Sequence, residues 1–153
     1  MRSKWTYQLM LLGLVIGIVC PNLLGQTPPG KQKSPNVEMI SPEDLKDKFT
    51  KNEAPTIIDV RSGESFAQST NKIKGAIHIK VRRLQYRLSF PPLKNVPHDG
   101  EVITYCSCPS DESSIAAAQI LMANGFSRVR VLKGGWPQWL KVNGPVEPKA
   151  KGM

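Results

Sequence analysis

The sequence predicts an α/β protein of three layers, with a central parallel sheet covered by helices on both faces. Short runs of β-branched and apolar residues, each the length of one buried strand, alternate along the chain with segments that carry helix signals. The intervening segments are long enough for the crossover connections of parallel strands, and right-handed crossovers place helices outside the sheet. A chain of 153 residues has room for one such domain and a short N-terminal segment.

The predicted strands are short apolar runs with turn residues around them. Residues 56–60, with the sequence TIIDV, are suited to a buried parallel strand, and residues 76–79, AIHI, repeat the pattern after a Lys-Gly turn. Residues 101–105, EVITY, form the clearest strand in the sequence, and residues 128–132, RVRVL, return as another. We expect these runs to lie side by side in one sheet.

The helices are predicted from caps, periodicity and breakers. Ser41 is a typical N-cap and Pro42 fits the first turn, so a helix should run from there to about Lys51. The other candidates are a short helix at residues 64–69, one at residues 81–88 that ends before Pro91-Pro92, and one capped by Ser113 or Ser114 that continues through Asn124.

The N-terminus has the pattern of an export signal. Arg2 and Lys4 precede an uncharged apolar run at residues 9–19, which is shorter than a typical spanning helix. We therefore expect residues 1–25 to be a signal peptide and the protein to be exported, to the periplasm or outside the cell. Two alternatives stay open: residues 1–25 are retained as a membrane anchor, or Cys20 is modified with lipid. Membrane association is expected only if this segment is retained.

Composition sets the remaining boundaries. Residues 26–36 are rich in Pro, Gly, Gln and Lys and predict a flexible linker. The folded domain should occupy residues 37–144, and residues 145–153, similar in composition to the linker, predict a flexible tail.

The chain is moderately basic. Its 21 Lys and Arg against 12 Asp and Glu give +9, and removal of Arg2 and Lys4 leaves 19 against 12, or +7. Such a charge favours anionic surfaces, acidic partners or small anions. Basic and aromatic residues do not interleave as they do on nucleic-acid platforms, so no nucleic-acid partner is expected.

Cys106 directly follows the clearest strand and precedes a predicted helix. In parallel sheets, ligand sites form beyond the carboxyl ends of the strands. Backbone amides of a tight loop and the positive end of a helix dipole stabilise a thiolate there and can hold an oxyanion beside it. Cys106 is therefore the candidate catalytic nucleophile, and the candidate substrate-binding residues are Ser107, Pro109, Ser110 and Asp111.

Four stretches in order resemble the rhodanese family. They are residues 57–61 (IIDVR) with Phe66, residues 73–79 (IKGAIHI), residues 102–106 (VITYC), and residues 131–136 (VLKGGW) with Trp139. The resemblance implies a rhodanese-like fold and a sulfurtransferase in which Cys106 accepts a sulfane sulfur as a persulfide. It implies that sulfur passes from a small sulfur-containing anion or persulfide donor to a thiol acceptor or cyanide, and that no cofactor or metal is needed. It also implies that Asp59 and Arg61 organise the fold.

The loop departs from the family pattern. The family carries an arginine five residues after the cysteine, where this chain has Asp111 followed by Glu112, and Pro109 replaces the customary flexible glycine. Carboxylates oppose a thiolate and repel an anionic donor, so efficient use of thiosulfate is not expected. Arg82, Arg83, Arg87 and Lys133 follow strands and could supply the missing positive charge.

Cys108 forms a Cys-x-Cys pair with Cys106 and is a candidate resolving thiol. The two could instead cycle as a disulfide in a thiol redox protein, or bind copper(I), which is less expected because no His or Met lies nearby. A third alternative is a catalytically silent module of the same fold that binds a partner.

Phosphatase or arsenate reductase chemistry is disfavoured because it needs cationic stabilisation that this loop lacks. His78, His98, Trp136 and Trp139 are predicted to be structural or solvated.

Overall fold

The computed structural model describes residues 36–150, so the predicted signal segment, nearly all of the predicted linker and residues 151–153 lie outside the described residues. Within that range the strands are β1 (Glu38–Ile40), β2 (Thr56–Asp59), β3 (Asn71–Ile73), β4 (Ile77–His78), β5 (Glu101–Tyr105), β6 (Arg128–Leu132) and β7 (Val146–Pro148). The helices are α1 (Pro42–Thr50), α2 (Gly63–Gln68), α3 (Val81–Arg87), α4 (Glu112–Ala123) and α5 (Gly135–Lys141), with a 3₁₀ turn at Leu93–Asn95.

Five parallel strands form the central sheet in the order β1-β6-β5-β2-β4. The register pairs Ile58 of β2 with Thr104 of β5, and Thr104 with Val131 of β6. Because all strands point the same way, the loops that follow β2, β5 and β6 meet at one edge of the sheet. The predicted α/β class with a parallel sheet is confirmed.

Alternate residues of the strands enter two separate apolar cores. Ile58 of β2 belongs to the core beneath α3 and α4, to which Leu84 and Leu121 contribute. Ile57, its neighbour, belongs to the opposite core, which includes Leu45 of α1 and Trp139 of α5. Burial on both faces explains why the central strands are continuous apolar runs, and the helices on both faces give the predicted three layers.

The start of α4 differs from the prediction. Neither Ser113 nor Ser114 is its N-cap; the helix begins at Glu112 and its N-cap is Asp111, in a left-handed conformation with φ 55°. Ser114 lies in the first turn, and its hydroxyl donates to the backbone oxygen of Asp111 at 2.8 Å. The helix therefore begins two residues before the start expected with Ser113 as cap, and three before that expected with Ser114.

The prediction of a flexible tail is wrong for residues 146–148, which form the strand β7. β7 pairs antiparallel with β3, and Lys72 lies opposite Glu147 across this pair. Their side chains form an ion pair of 3.0 Å, and the hydrogen bond from Lys72 lowers the pKa of Glu147. β3 and β7 are distant in sequence, so composition alone could not indicate their pairing. No helix within residues 36–150 is long and apolar enough to cross a membrane.

Candidate active site

Cys106 lies immediately beyond β5 and is only 2% exposed. The backbone amide of Cys108 donates to its sulfur, with N to Sγ 3.4 Å. The hydroxyl oxygen of Ser114 lies 3.5 Å from the same sulfur, and its single proton is shared with the carbonyl oxygen of Asp111 at 2.8 Å. Ser114 is itself fully buried in the first turn of α4. Hydrogen bonds donated to sulfur favour its negatively charged form, so this environment suits a Cys106 thiolate once the sulfur is reduced.

The sulfur atoms of Cys106 and Cys108 are joined in a disulfide, with Cα atoms 5.7 Å apart. A disulfide-bonded cysteine is not a nucleophile, because nucleophilic attack requires the free thiolate. The described geometry is therefore the oxidised form of the loop, and reduction would release two thiols within one turn of chain.

Asp111 links the cysteine loop to the turn after β6. Its Oδ2 accepts a hydrogen bond from the amide of Gly134 at 2.8 Å, and the residue is 6% exposed. The other carboxylate oxygen, Oδ1, is buried and has no hydrogen-bond partner among residues 36–150. The backbone amide of Asp111 donates to the carbonyl oxygen of Cys108 at 3.3 Å. Among the predicted substrate-binding residues, Asp111 thus holds the loop in shape and has its amide already engaged in this form.

The turn after β6 also contacts Cys106 directly. The amide of Trp136 donates to the carbonyl oxygen of Cys106 at 2.8 Å, and Gly135 lies against the same carbonyl with φ 49°. A Cβ atom at Gly135 would overlap that oxygen. Glycine is therefore required here by both the backbone conformation and the close approach.

The remaining loop residues are more accessible. Ser107 is half-buried and its hydroxyl shares a short hydrogen bond with that of Ser65 in α2, whereas Pro109 and Ser110 are exposed. The loop is thus fixed at both ends, by Ser107 and by Asp111, and open to solvent at its centre. The predicted substrate-binding role of these four residues stays a prediction.

A buried polar network lies under the loop. Asp59 and Arg61 form a fully buried ion pair of 2.7 Å, and the hydroxyl of Tyr105 donates to Asp59 at 2.6 Å. Burial, followed by the charge of Asp59, raises the pKa of Tyr105 well above its ordinary value of 10.0, so the phenol stays protonated as a donor. The Arg61 guanidinium lies 4.4 Å from the ring centre of Trp136. This network sets the positions of β2, β5 and α5 around the site.

A family model for the rhodanese-like domain matches residues 41–142. The chain belongs to the rhodanese-like domain family. A protein named sulfurtransferase from Allochromatium vinosum is 28% identical over 110 residues, which cover 72% of this chain and 94% of the relative. This relative and the family assignment together support a sulfurtransferase-family role.

Solved structures agree with the fold. The solution structure of the rhodanese-like domain of the Alr3790 protein from Anabaena sp. is 25% identical, with a TM-score of 0.59 over 75% of this chain and 82% of that one. The human single-domain sulfurtransferase TSTD1 is 22% identical, with a TM-score of 0.58 over 69% of this chain and 96% of that one, and this likeness shows the fold alone. The rhodanese-like resemblance expected from the motifs is confirmed.

The histidines of this rhodanese-like domain lie in structural settings. His78 stacks on Phe66 with ring centres 3.7 Å apart, and its Nε2 is 3.1 Å from the carbonyl of Arg61. His98 packs its ring against Phe126. Within residues 36–150, no cluster of His, Cys, Asp or Glu has the arrangement of a metal site.

Among residues 36–150, the arginines of α3 form no hydrogen bond or ion pair with the cysteine loop, and their role as a replacement for the loop arginine stays a prediction. Arg83 and Arg87 line a separate pocket of about 590 Å³, and none of its lining residues belongs to the cysteine loop. Arg82 and Lys133 are exposed. The α3 helix follows β4, which is separated from β5 by β2 in the sheet.

A groove that the sequence did not reveal adjoins the cysteine loop. It has a volume of about 440 Å³ and is lined by Ser65, Gln68, Ser69, Thr70, Asn71, Trp136 and Leu140. Ser65 bonds to Ser107, and Trp136 bonds to Cys106, so the groove borders the loop on two sides. Its lining has hydroxyls, amides and apolar groups but no charged side chain. Ser114 was likewise missed as a contact of Cys106, because the sequence indicated only a helix cap.

Proposed function

We propose that the protein is a sulfurtransferase that carries sulfane sulfur as a persulfide on Cys106, with Cys108 as a resolving thiol. The observation that carries the proposal is the surroundings of the Cys106 sulfur: the Cys108 amide donates to it, and the Ser114 hydroxyl lies beside it with a proton shared with the Asp111 carbonyl. These contacts favour the Cys106 thiolate, which is the nucleophile in sulfur loading and the leaving group in sulfur transfer. Family membership and the relative named sulfurtransferase support the same chemistry.

The loading step needs the reduced loop and a donor persulfide. The Cys106 thiolate attacks the outer sulfur of an organic persulfide anion, the donor S–S bond breaks, and the donor leaves as a thiolate while Cys106 becomes the persulfide. With thiosulfate as donor, the leaving group is sulfite. Transfer repeats the exchange: an acceptor thiolate attacks the outer sulfur and Cys106 leaves as a thiolate. Neither step needs a cofactor.

The Cys106 persulfide has a second possible reaction, with the thiolate of Cys108. The Cys108 thiolate attacks the inner sulfur of the Cys106 persulfide, hydrosulfide leaves, and the disulfide forms. The two-electron oxidation of the cysteine pair balances the reduction of the sulfane sulfur to sulfide. An external dithiol then reduces the disulfide and restores both thiols.

The surroundings of the loop favour a thiol-bearing partner over a small anion. The groove beside Cys106 is lined by neutral side chains, among them Trp136 and Leu140. Glu112 at the start of α4 is exposed, and its negative charge repels anions from this end of the loop. An organic persulfide donor and a peptide or low-molecular-weight thiol acceptor suit these surroundings better than thiosulfate does.

The disulfide itself favours one second candidate, a Cys-x-Cys thiol redox protein. Such a protein would exchange electrons with substrate thiols through Cys106 and Cys108 without carrying an extra sulfur. The two proposals differ in what Cys108→Ser does, because a redox cycle needs both thiols whereas sulfur loading needs Cys106 alone.

Export is part of the proposal and rests on the signal-like pattern of residues 1–25. In an oxidising compartment the disulfide would be the resting state, and an external dithiol would activate the loop. Growth of cells producing the full chain, followed by fractionation and N-terminal sequencing, tests export and cleavage before Gln26. Recovery of the uncleaved chain in the cytoplasm would contradict the proposal that the protein is exported.

The function is tested by treating the reduced, purified full chain with thiosulfate or with an organic persulfide, then measuring intact mass and mapping peptides. We expect the persulfide donor to add one sulfur atom to Cys106, and Cys106→Ser to abolish the addition. Cys108→Ser should still load and should keep its sulfur longer. Loss of all sulfur addition in the wild-type chain, with retained thiol–disulfide exchange, would instead establish the redox protein.

A further inference from the structure

A second pocket lies at the edge of the sheet, away from the cysteine loop. It measures about 590 Å³ and is lined by Lys72, Gly75, Ala76, Ile77, His78, Ile79, Lys80, Arg83, Arg87 and Pro92. β4 forms one wall and α3 forms another. We call it the β4–α3 groove, and neither the family assignment nor the proposed sulfur chemistry uses it.

The groove is cationic, and three of its four basic residues form no ion pair within residues 36–150. Arg83 and Arg87 are one helical turn apart and therefore lie on the same side of α3. Among residues 36–150, neither these arginines nor Lys80 forms an ion pair with a carboxylate, whereas Lys72 is paired with Glu147. The lining contains no Asp or Glu. A negatively charged ligand would supply the missing counter-charges.

The wall formed by β4 offers an unpaired strand edge. β4 is the last strand of the five-stranded sheet, and within residues 36–150 only β2 pairs with it. The amide of Ile79 donates to the backbone carbonyl oxygen of Asp59 in β2. Residues 77 and 79 therefore direct their backbone groups toward β2. In a parallel strand the alternate residue directs both backbone groups to the opposite side. The amide and carbonyl of His78 therefore face the groove.

The floor of the groove is partly apolar, with Ala76, Ile79 and Pro92 among its lining residues. Cations, a free strand edge and apolar contacts together are the features that recognise a polypeptide in an extended conformation. The chain's own N-terminal segment does not suit this groove, because residues 1–35 contain no Asp or Glu and include Lys31 and Lys33. Charge complementarity therefore indicates a different, acidic chain.

We propose that the β4–α3 groove binds an acidic, extended segment of a partner protein, which pairs with the outer edge of β4 at His78 while its carboxylates contact Lys80, Arg83 and Arg87. The site is separate from Cys106, so it would hold a partner without blocking the cysteine loop.

The test measures binding of a fluorescein-labelled octapeptide of alternating Glu and Val to the purified full chain by fluorescence anisotropy. Replacing Arg83 and Arg87 together with Glu should weaken binding by about tenfold or more, since two favourable charge contacts become repulsive. Arg82→Glu is the control: it makes one substitution of the same kind on α3, with half the charge change, at an exposed residue outside the groove, and it should change affinity less than about twofold. Circular dichroism verifies folding of each variant.

A second pair of ligands distinguishes a strand from a simple anion. The same peptide N-methylated at every backbone amide has no N–H group with which to pair with β4 and should bind at least about tenfold more weakly. Equal binding of the methylated peptide, or equal loss in Arg82→Glu and the double variant, would overturn the proposal. So would binding of inorganic tripolyphosphate at this groove with no binding of the octapeptide, which would establish a small-anion site. Sulfur loading of Cys106 is measured in parallel and should be unchanged in the double variant, so the outcome is independent of the proposed sulfurtransferase activity.

Discussion

Asp111 and Gly134 lie 23 residues apart, and a 2.8 Å hydrogen bond joins the Asp111 carboxylate to the Gly134 amide. Asp111 ends the cysteine loop, and Gly134 begins the turn whose next residues contact the Cys106 carbonyl. The residue that stands where the family carries an arginine therefore fastens the two loops that enclose the cysteine.

This contact predicts a graded effect of substitutions at Asp111. Asp111→Asn keeps an acceptor oxygen and tolerates the left-handed backbone, so it should cost less than about 1 kcal/mol of unfolding free energy. Asp111→Gly keeps the backbone conformation but removes the acceptor and should cost about 1 to 3 kcal/mol. Asp111→Ala adds left-handed strain and should cost the most. Urea unfolding of the reduced proteins measures all three, and equal stability of the Asn and Gly variants would mean that the bond contributes nothing.

Ser114 predicts a kinetic effect at Cys106. Its hydroxyl oxygen is 3.5 Å from the Cys106 sulfur and 2.8 Å from the Asp111 carbonyl oxygen, and Ser114→Ala removes this shared donor with little change in volume. In the Cys108→Ser background, the rate of Cys106 alkylation by iodoacetamide at pH 7 should fall about fivefold, the equivalent of one hydrogen bond. Ser113→Ala changes the same residue type one position earlier and should leave the rate within a factor of about two. Equal rates in both alanine variants would refute a role for Ser114 at the sulfur.

Two glycines with positive φ give a matched pair for the close approach at the site. Gly75 has φ 75° with open space around a Cβ, so Gly75→Ala should cost only the left-handed strain, about 1 to 2 kcal/mol. Gly135→Ala adds an overlap with the Cys106 carbonyl oxygen and should cost clearly more. It should also slow alkylation of Cys106, which Gly75→Ala should not do. Comparable stability and alkylation rates in the two variants would contradict the role assigned to Gly135.

Tyr105 predicts how stability responds to alkaline pH. Its folded pKa is raised above the ordinary value of 10.0, so the folded state holds this proton more tightly than the unfolded state does. Its contribution is complete below pH 10 and is lost as pH rises above that value. Tyr105→Phe should cost about 1 to 3 kcal/mol at pH 7, because Asp59 loses a buried donor, and this difference should shrink above pH 10. Urea unfolding at pH 7 and at pH 10.5 tests both statements; a constant difference would contradict them.

The sequence indicated the elements whose signals are local. β5 and β6 have the same bounds as the predicted runs because both are continuous apolar or alternating segments, and α1 begins after its predicted cap, Ser41. β1 was missed because it has three residues of which only Ile40 is buried. The β3–β7 pair was missed because its register depends on chain segments far apart in sequence.

The site was predictable only in part for the same reason. Cys106 could be placed because it follows a strand and precedes a helix. The hydrogen bond between Asp111 and Gly134 depends on two loops that meet only after the sheet has formed, and so does the neutral groove beside Trp136. Local chemistry instead suggested that the Asp111 carboxylate faced an incoming anion.

The central claim is that sulfur passes through Cys106, and a single-turnover transfer tests it most directly. The reduced Cys108→Ser full chain is loaded with an organic persulfide, freed of donor and mixed with a thiol acceptor, and the masses of protein and acceptor are followed in time. We predict that one sulfur atom leaves Cys106 and the same amount appears on the acceptor, with none transferred by Cys106→Ser. Sulfur that stays on the protein, or acceptor persulfide formed equally with Cys106→Ser, would contradict the account.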